Sequence, residues 1–487
     1  MYFRRDDGLL TSFDFLRPGE QWPPKCEHER LHRYDINRKL FEGRHELVFD
    51  NWTRLLRNDQ NAVLEIVINW HRRLSKLWAD LLLGEPPRFV AHNPNQQSLL
   101  EERYVKEQNL VSKGYELALD ISRFGTGLFK VRFDGNQRRS VIETNPPTVW
   151  FVVVSPDNVK DIQAHVLAWT AKTRIPGRFL TPEKEVETLL VEIHQRGSIT
   201  TQRYELKDKK IVRQLSSMTV NTGVNDFLIV PIHNFITSDR VEGIDDYSDL
   251  DSIVQEIEIR FAQISRILDK HADPNMYGPD SALELNPDTG EYEFKVSGKY
   301  FPVAPGEDPP GYVSWDGKLD MAFKEIEMLL KQLFILTETN EIVMGGTSTG
   351  NLESGDALRQ LLMVPLMHVS RIRMNFDPGL KKVIKLANQL EIAMNVEGVE
   401  ALEDFTVEWE DGLPKNVKED SLVAVNEFTS GIRSLRNAVR LAQGLEGAKL
   451  EEELAQIRAD RDAILNAERS LLMARAEATP RLVDTTE

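Results

Sequence analysis

Ile244-Asp245-Asp246-Tyr247-Ser248-Asp249-Leu250 opens the stretch that decides the fold, and Arg266-Ile267-Leu268-Asp269-Lys270-His271-Ala272-Asp273-Pro274 closes it. Between them the apolar residues Tyr247, Leu250, Val254, Ile257, Phe261, Ile264 and Leu268 recur every three or four positions. That spacing places them on one face of an α-helix, about 40 Å long at 1.5 Å per residue. Asp273-Pro274 stops it, because the residue before a proline is driven out of the helical region. Residues 273–317 then carry seven prolines, which exclude a long helix and predict short strands and turns. Asp288-Thr289-Gly290, between Leu283/Leu285 and Tyr292/Phe294/Val296, is a hairpin signal. Behind Asp316-Gly317 the helical spacing returns in Leu319, Phe323, Ile326, Leu330 and Leu333. Two seamed helices joined by a β tip need neighbours to bury their apolar faces, elsewhere in the chain or in other copies of it.

Upstream, Val63, Ile66, Val67, Trp70, Leu74, Leu77, Trp78 and Leu81 form a wide apolar stripe that predicts a core helix ending at Gly84-Glu85-Pro86-Pro87. From about 121 to 232 the period shifts towards strands, in Phe129–Phe133, Val149–Val154 and Leu189–Ile193. The expected class is α+β. Glu338 to Gly355 is rich in Gly, Thr, Ser and Asn and is expected as a flexible loop. A long helix follows from about Asp356 to Asn395, disturbed at Pro365 and Pro378. The segment from about 417 is helical, and Ala476 to Glu487 is expected as a frayed tail.

The 487 residues hold 60 Lys+Arg against 77 Asp+Glu, a net charge of −17. That balance argues against a surface that grips nucleic acid by neutralising phosphates, so a DNA partner should be one that slides. Cys26 is the single cysteine, which excludes an intrachain disulfide and points to an intracellular folding compartment. The N-terminus has no signal-peptide core, and no apolar run reaches membrane-spanning length.

Chemical motifs are incomplete. Gly346-Thr347-Ser348-Thr349-Gly350 matches the nucleophile elbow G-x-S-x-G, but the only histidine downstream, His368, falls inside a predicted helix and too near. Gly345 and Gly350 begin a P-loop spacing, yet Asn351 and Leu352 stand where the lysine and hydroxyl are required. Asp245, Asp249, Asp251 and Glu256 approach an EF-hand register, but Tyr247 replaces a ligand and Leu250 the turn glycine. Cys26, His28 and His32 match no common zinc spacing. No cofactor or metal is expected.

The order of body, helix, β tip, helix, flexible loop, long helix and helical end resembles the portal proteins of tailed bacteriophages, in particular the siphophage family. Phe227-Leu228-Ile229-Val230-Pro231-Ile232-His233-Asn234-Phe235, running through Thr237–Arg240 into Gly243–Leu250, is similar to the strand entering the first stem helix of those portals. Arg266–Pro274 resembles that helix's exit, and Ser354-Gly355-Asp356-Ala357-Leu358 the start of the helix behind the tunnel loop. Asp80–Pro87 and Val154–Val159 resemble further portal stretches, and the likeness extends over about 30–475.

The resemblance implies a wing (1–243), stem helices (244–272 and 318–337), a clip (273–317) and a tunnel loop (338–355). It also implies a long kinked wing helix with a return strand (356–415), a crown (416–475) and a flexible tail (476–487). Gly345, Gly346, Thr347, Ser348, Thr349, Gly350 and Asn351 would face DNA. Leu250, Val254, Ile257, Phe261, Ile264, Leu268, Phe323, Ile326 and Leu330 would pack the stem. The family implies a ring, typically a dodecamer, at one capsid vertex of the virion, formed in the host cytoplasm during assembly. It would be a passive conduit for double-stranded DNA during genome packaging and ejection. Its partners would be its own copies, terminase, major capsid and scaffold proteins, and the head-completion or adaptor proteins that connect head to tail, with no membrane. The missing P-loop lysine favours such a passive conduit over a self-powered motor; the alternative is a DNA-processing or nucleotide-hydrolysing enzyme with a site assembled from distant residues, which ATPase or nuclease assays would separate from it.

Overall fold

Asn69 sets the start of the N-terminal core helix, its side chain accepting a hydrogen bond from the Arg72 backbone N–H at 2.8 Å. The helix therefore runs Trp70–Leu83, and Ile66 and Val67 precede it although they continue the apolar spacing. This computed structural model describes residues 8–49, 66–175, 184–272, 276–277, 283–294, 306, 311–312, 319–346, 355–409, 417–445 and 447–477. Val63 lies outside them.

Two units divide the chain, Met1–Gly412 and Leu413–Glu487. In the first, α1 (His28–Glu42), α2 (Trp70–Leu83), α3 (Leu110–Phe124) and the long α6 (Gly355–Ala393) enclose one core, with Leu74, Trp78, Leu117, Phe376 and Val383 fully or almost fully buried. The long helix continues through both Pro365 and Pro378. Beside it stands an antiparallel sheet of order β3-β2-β9, made by β2 (Thr126–Asp134), β3 (Arg139–Asn145) and β9 (Ile229–His233). A five-stranded antiparallel meander follows chain order: β4 (Trp150–Ser155), β5 (Asn158–Ile175), β6 (Lys184–Gln195), β7 (Ser198–Lys207) and β8 (Lys210–Asn221). Its inner face buries Phe151, Val166, Val191 and Tyr204. A short pair joins β1 (Arg88–Ala91) to β14 (Phe405–Glu408), with Phe89 opposite Val407. The class is thus mixed α+β, with helices and antiparallel sheets.

The helical pair forms where the spacing predicts it, with a later start. Its first member, α4, is Asp251–Ala272, so 22 residues span about 33 Å rather than about 40 Å. Tyr247 and Leu250 are buried ahead of the helix, in a turn where the Asp245 carboxylate accepts from the N–H groups of Tyr247 and Ser248 at 3.0 and 2.9 Å. The second member, α5, is Leu319–Leu336. Between them, β11 (Leu283–Leu285) pairs antiparallel with β12 (Tyr292–Phe294) across the Asp288-Thr289-Gly290 turn, and β10 (Met276–Tyr277) with β13 (Gly311–Tyr312). Gly125, at φ 77° behind α3, packs on Gly243 where the chain heads for α4, and a Cβ on either would lie 2.4 Å or less from the other's carbonyl oxygen.

The second unit holds α7 (Val417–Thr429), α8 (Leu435–Gln443, capped by Ser434) and α9 (Gly447–Glu477), with Val439, Leu450 and Leu454 as its core. No helix among the described residues is long and apolar enough to cross a membrane.

Candidate functional site

Helix α4 turns two kinds of surface inward. Val254, Ile257 and Ile264 are buried, and across the pair Ile326 and Leu333 of α5 are buried too. Phe261 and Leu330 are half-buried. Leu268 and Phe323, read as packing residues, are instead 51% and 47% exposed in the single chain. Met321, Met328, Ile335 and Leu336 of α5 share that exposure. One helix partner covers one face, and the remaining apolar surface is left bare. Arg260 ties the pair, its guanidinium lying 2.7 Å from Glu256 and 3.1 Å from Glu325.

The other inward surface is polar. Glu258 lies within the arc of the seam, four residues after Val254 and three before Phe261, and is fully buried. Its carboxylate accepts from His45 Nδ1–H at 2.7 Å and from the Ile68 backbone N–H at 2.9 Å. Two helix turns closer to the start, Asp251 accepts from Arg33 at 2.5 Å and from His71 Nε2–H at 3.2 Å. Arg33 reaches Asp245 as well, at 3.1 Å. Burial works against the Arg33 charge, yet the two carboxylates hold its pKa above the ordinary value. Burial pushes the His71 imidazole down and the Tyr247 phenol up. The Tyr247 hydroxyl is hydrogen-bonded to Ser75 Oγ at 2.7 Å. The acidic residues of the incomplete EF-hand register are therefore split between Arg33 (Asp245, Asp251) and Arg260 (Glu256), while Asp249 is exposed. Among the described residues no group of three His, Cys, Asp or Glu side chains is placed to hold a metal ion.

The segment after α5 is expected as a flexible loop, but its first part is a tied turn. Asn340 Oδ1 accepts from Val343 N–H at 2.9 Å, and Asn340 Nδ2 donates to the Leu361 carbonyl of α6 at 2.7 Å. Gly345 stands at φ 98°, and Gly346 N–H donates to the Glu341 carbonyl at 2.8 Å. A Cβ on Gly346 would lie 2.3 Å from the exposed Glu341 side chain and 2.9 Å from the Glu341 carbonyl oxygen, so a side chain here would make the turn shift. Thr347, Ser348, Thr349, Gly350 and Asn351 lie outside the described residues. His368, on α6, stacks on Trp78 with centroids 4.0 Å apart and donates from Nδ1 to Glu338 at 2.8 Å, where Arg371 also donates.

The structure joins residues that no local pattern links: Glu258 to His45, Asp251 to Arg33 and His71, Glu338 to His368. The available signal was a charged residue inside an apolar arc, as at Glu258, because a carboxylate there needs a buried donor. Cys26 is half-buried, His28 Nε2–H donates to the Pro23 carbonyl at 3.0 Å, and His32 is exposed.

A family model described as "Phage portal protein, SPP1 Gp6-like" matches residues 22–277 and 314–466. The chain belongs to this phage portal family. Its role is thus that of a portal or connector protein of a virion, in a family that is structural and non-enzymatic and lies at the capsid vertex. Among solved structures the chain is similar to one from the virion of a native gene transfer agent particle, at 13% identity and TM-score 0.46, over 89% of this chain and 96% of that one. It is also similar to chains from the neck of the empty and of the native particle, computed with C6 and C12 symmetry, at 12% identity and TM-score 0.43, over 78% of this chain and 90% of those. No curated protein matches it.

Proposed function

We propose that this portal-family chain assembles into a closed ring of twelve copies that serves as a passive channel for double-stranded DNA during packaging and ejection. The observation that carries the proposal is the exposed apolar surface of the α4–α5 pair: among the described residues Leu268, Phe323 and Met328 are about half or more exposed in one copy, and a neighbouring pair would cover them. In this reading α4 and α5 are the stem, and residues 273–317 the clip, where terminase docks first and head-completion or adaptor proteins later. Residues 338–355 are the tunnel loop, with Gly345 to Asn351 facing the DNA, and residues 416–475 the crown. The body of residues 1–243, with α6 and its return strand β14, is the wing, and major capsid and scaffold proteins surround the assembly. The net charge of −17 per copy suits a channel through which DNA must move without adhering.

Light scattering and negative-stain top views of the purified protein test this. The expected particle is a ring with a central hole and a mass of about 670 kDa, twelve copies of 55.8 kDa. A monomer that stays monomeric under every assembly condition and hydrolyses ATP or DNA would overturn it.

A further inference from the structure

Glu338 follows α5 by two residues and holds a φ of 54°, in the left-handed region. Helix ends place glycine there, because a side chain in that conformation costs about 1–2 kcal/mol. The carboxylate gives the position a reason: it accepts from His368 Nδ1–H at 2.8 Å and from Arg371, both on α6. Burial opposes its charge, but His368 and Arg371 hold its pKa below the usual glutamate value. The His368 ring lies flat on the Trp78 indole, 16° from parallel, so α2 fixes the plane of the imidazole. The opposite nitrogen, Nε2, stands 3.9 Å from Asp246 Oδ1 and has no hydrogen bond of its own. Asp246 precedes α4 by five residues and is held by Asn234 Nδ2–H at 2.5 Å and through its own N–H by the Ser122 carbonyl at 2.9 Å.

One imidazole thus sits between a carboxylate just before the helical pair and one just after it, on the helix that leads back from the loop. Residues 78, 246, 338 and 368 are remote in sequence, and strain at Glu338 is maintained by the contact it makes. We propose that the Glu338–His368 hydrogen bond, with Asp246 facing the other ring nitrogen, is a clasp that holds α6 in register with the chain's entry to α4 and exit from α5 and so sets the position of the start of α6 at Gly355. Glu338 and His368 are then positioning residues for DNA passage, a role that rests on the channel reading above. From His368 to Gly355 the helix is 13 residues, about 20 Å, so a tilt of about 3° at the clasp moves Gly355 by about 1 Å.

Glu338→Gly separates positioning from stability, because glycine relieves the backbone strain while removing the carboxylate. His368→Phe is the companion, retaining the stack on Trp78 and losing the hydrogen bond to Glu338. Glu338→Gln, which keeps the acceptor, should restore function in part. In particles assembled with each variant, the expected result for Glu338→Gly is normal rings, a thermal midpoint unchanged or raised, and several-fold less DNA packaged or retained, with the same DNA defect in His368→Phe. Wild-type DNA content in both variants, or failure of Glu338→Gly to form rings, overturns the clasp. Wild-type rings that do not take up DNA in the same assay would instead overturn the channel reading.

Discussion

Lowering the pH from 7 to 5 should destabilise the sheet-bearing body by about 2 kcal/mol through His165 alone. The imidazole is 2% exposed, and its Nδ1 accepts the Trp150 Nε1–H at 3.1 Å, so a proton arriving at Nδ1 would set two donors against each other. Burial, helped by His194, Lys382 and His233, pushes its pKa down to about 3. In the unfolded chain the same group takes up its proton near 6.5. Below that value the unfolded state binds a proton that the folded state refuses. Stability is therefore complete above about pH 6.5, declines by about 1.4 kcal/mol per unit as the pH falls, and levels off near the folded value. The 1.5 units between 6.5 and 5 give about 2 kcal/mol. His233, pushed down to about 4 by burial and by Lys160, acts in the same direction over the same pH window. The assay is urea unfolding followed by tryptophan fluorescence at both pH values, for the wild type and for His165→Gln, whose amide oxygen can accept from Trp150 and does not titrate. The variant should lose about 2 kcal/mol less between pH 7 and 5 than the wild type. Equal losses in the two proteins would refute the argument.

Ile257→Asp or Ile264→Asp places a carboxylate in the buried seam of α4, at a cost of several kcal/mol, about 2–7 for a group left without a partner. Ring assembly should fail in light scattering, and normal rings from either variant would mean that the buried face is misplaced. Shortening residues 345–352 should leave rings intact while packaging or retention of DNA falls, and full DNA content in such particles would remove the loop from the mechanism. Glu391→Ala strips the acceptor shared by Arg103, the Tyr104 hydroxyl and the N–H and hydroxyl of Ser140, and Tyr104 and Ser140 are fully buried. The thermal midpoint should drop by an amount equivalent to about 3 kcal/mol or more, and a shift corresponding to less than about 1 kcal/mol would contradict it.

The helices and strands that rest on local periodicity were legible in the sequence. Leu319–Leu336 follows from threes and fours, Phe129–Phe133 from alternation, and the hairpin of Leu283–Leu285 with Tyr292–Phe294 from its Asp-Thr-Gly turn. The start of α4 was not, because Tyr247 and Leu250 obey the helical spacing and are nevertheless held in a turn. What holds them is the Asp245 carboxylate and a hydroxyl bond to Ser75, 172 residues away in sequence. The polar contacts of the site escaped for the same reason: His45 and Glu258 are 213 residues apart, and no spacing rule links them. A family resemblance supplied the portal role, while the exposed flank of Leu268 and Phe323 is visible only in the folded chain.

The pairing of Arg88–Ala91 with Phe405–Glu408 has a consequence for biosynthesis. More than three hundred residues separate the two strands, so at about 5–20 residues per second the first emerges from the ribosome roughly 15–60 s before its partner exists. Phe89 and Val407, both buried in the finished protein, complete one hydrophobic cluster only when the second arrives. Such a long-range closure is entropically slow and comes late in folding. A nascent chain therefore carries its helical pair outside the ribosome well before the strand that completes the body has been made.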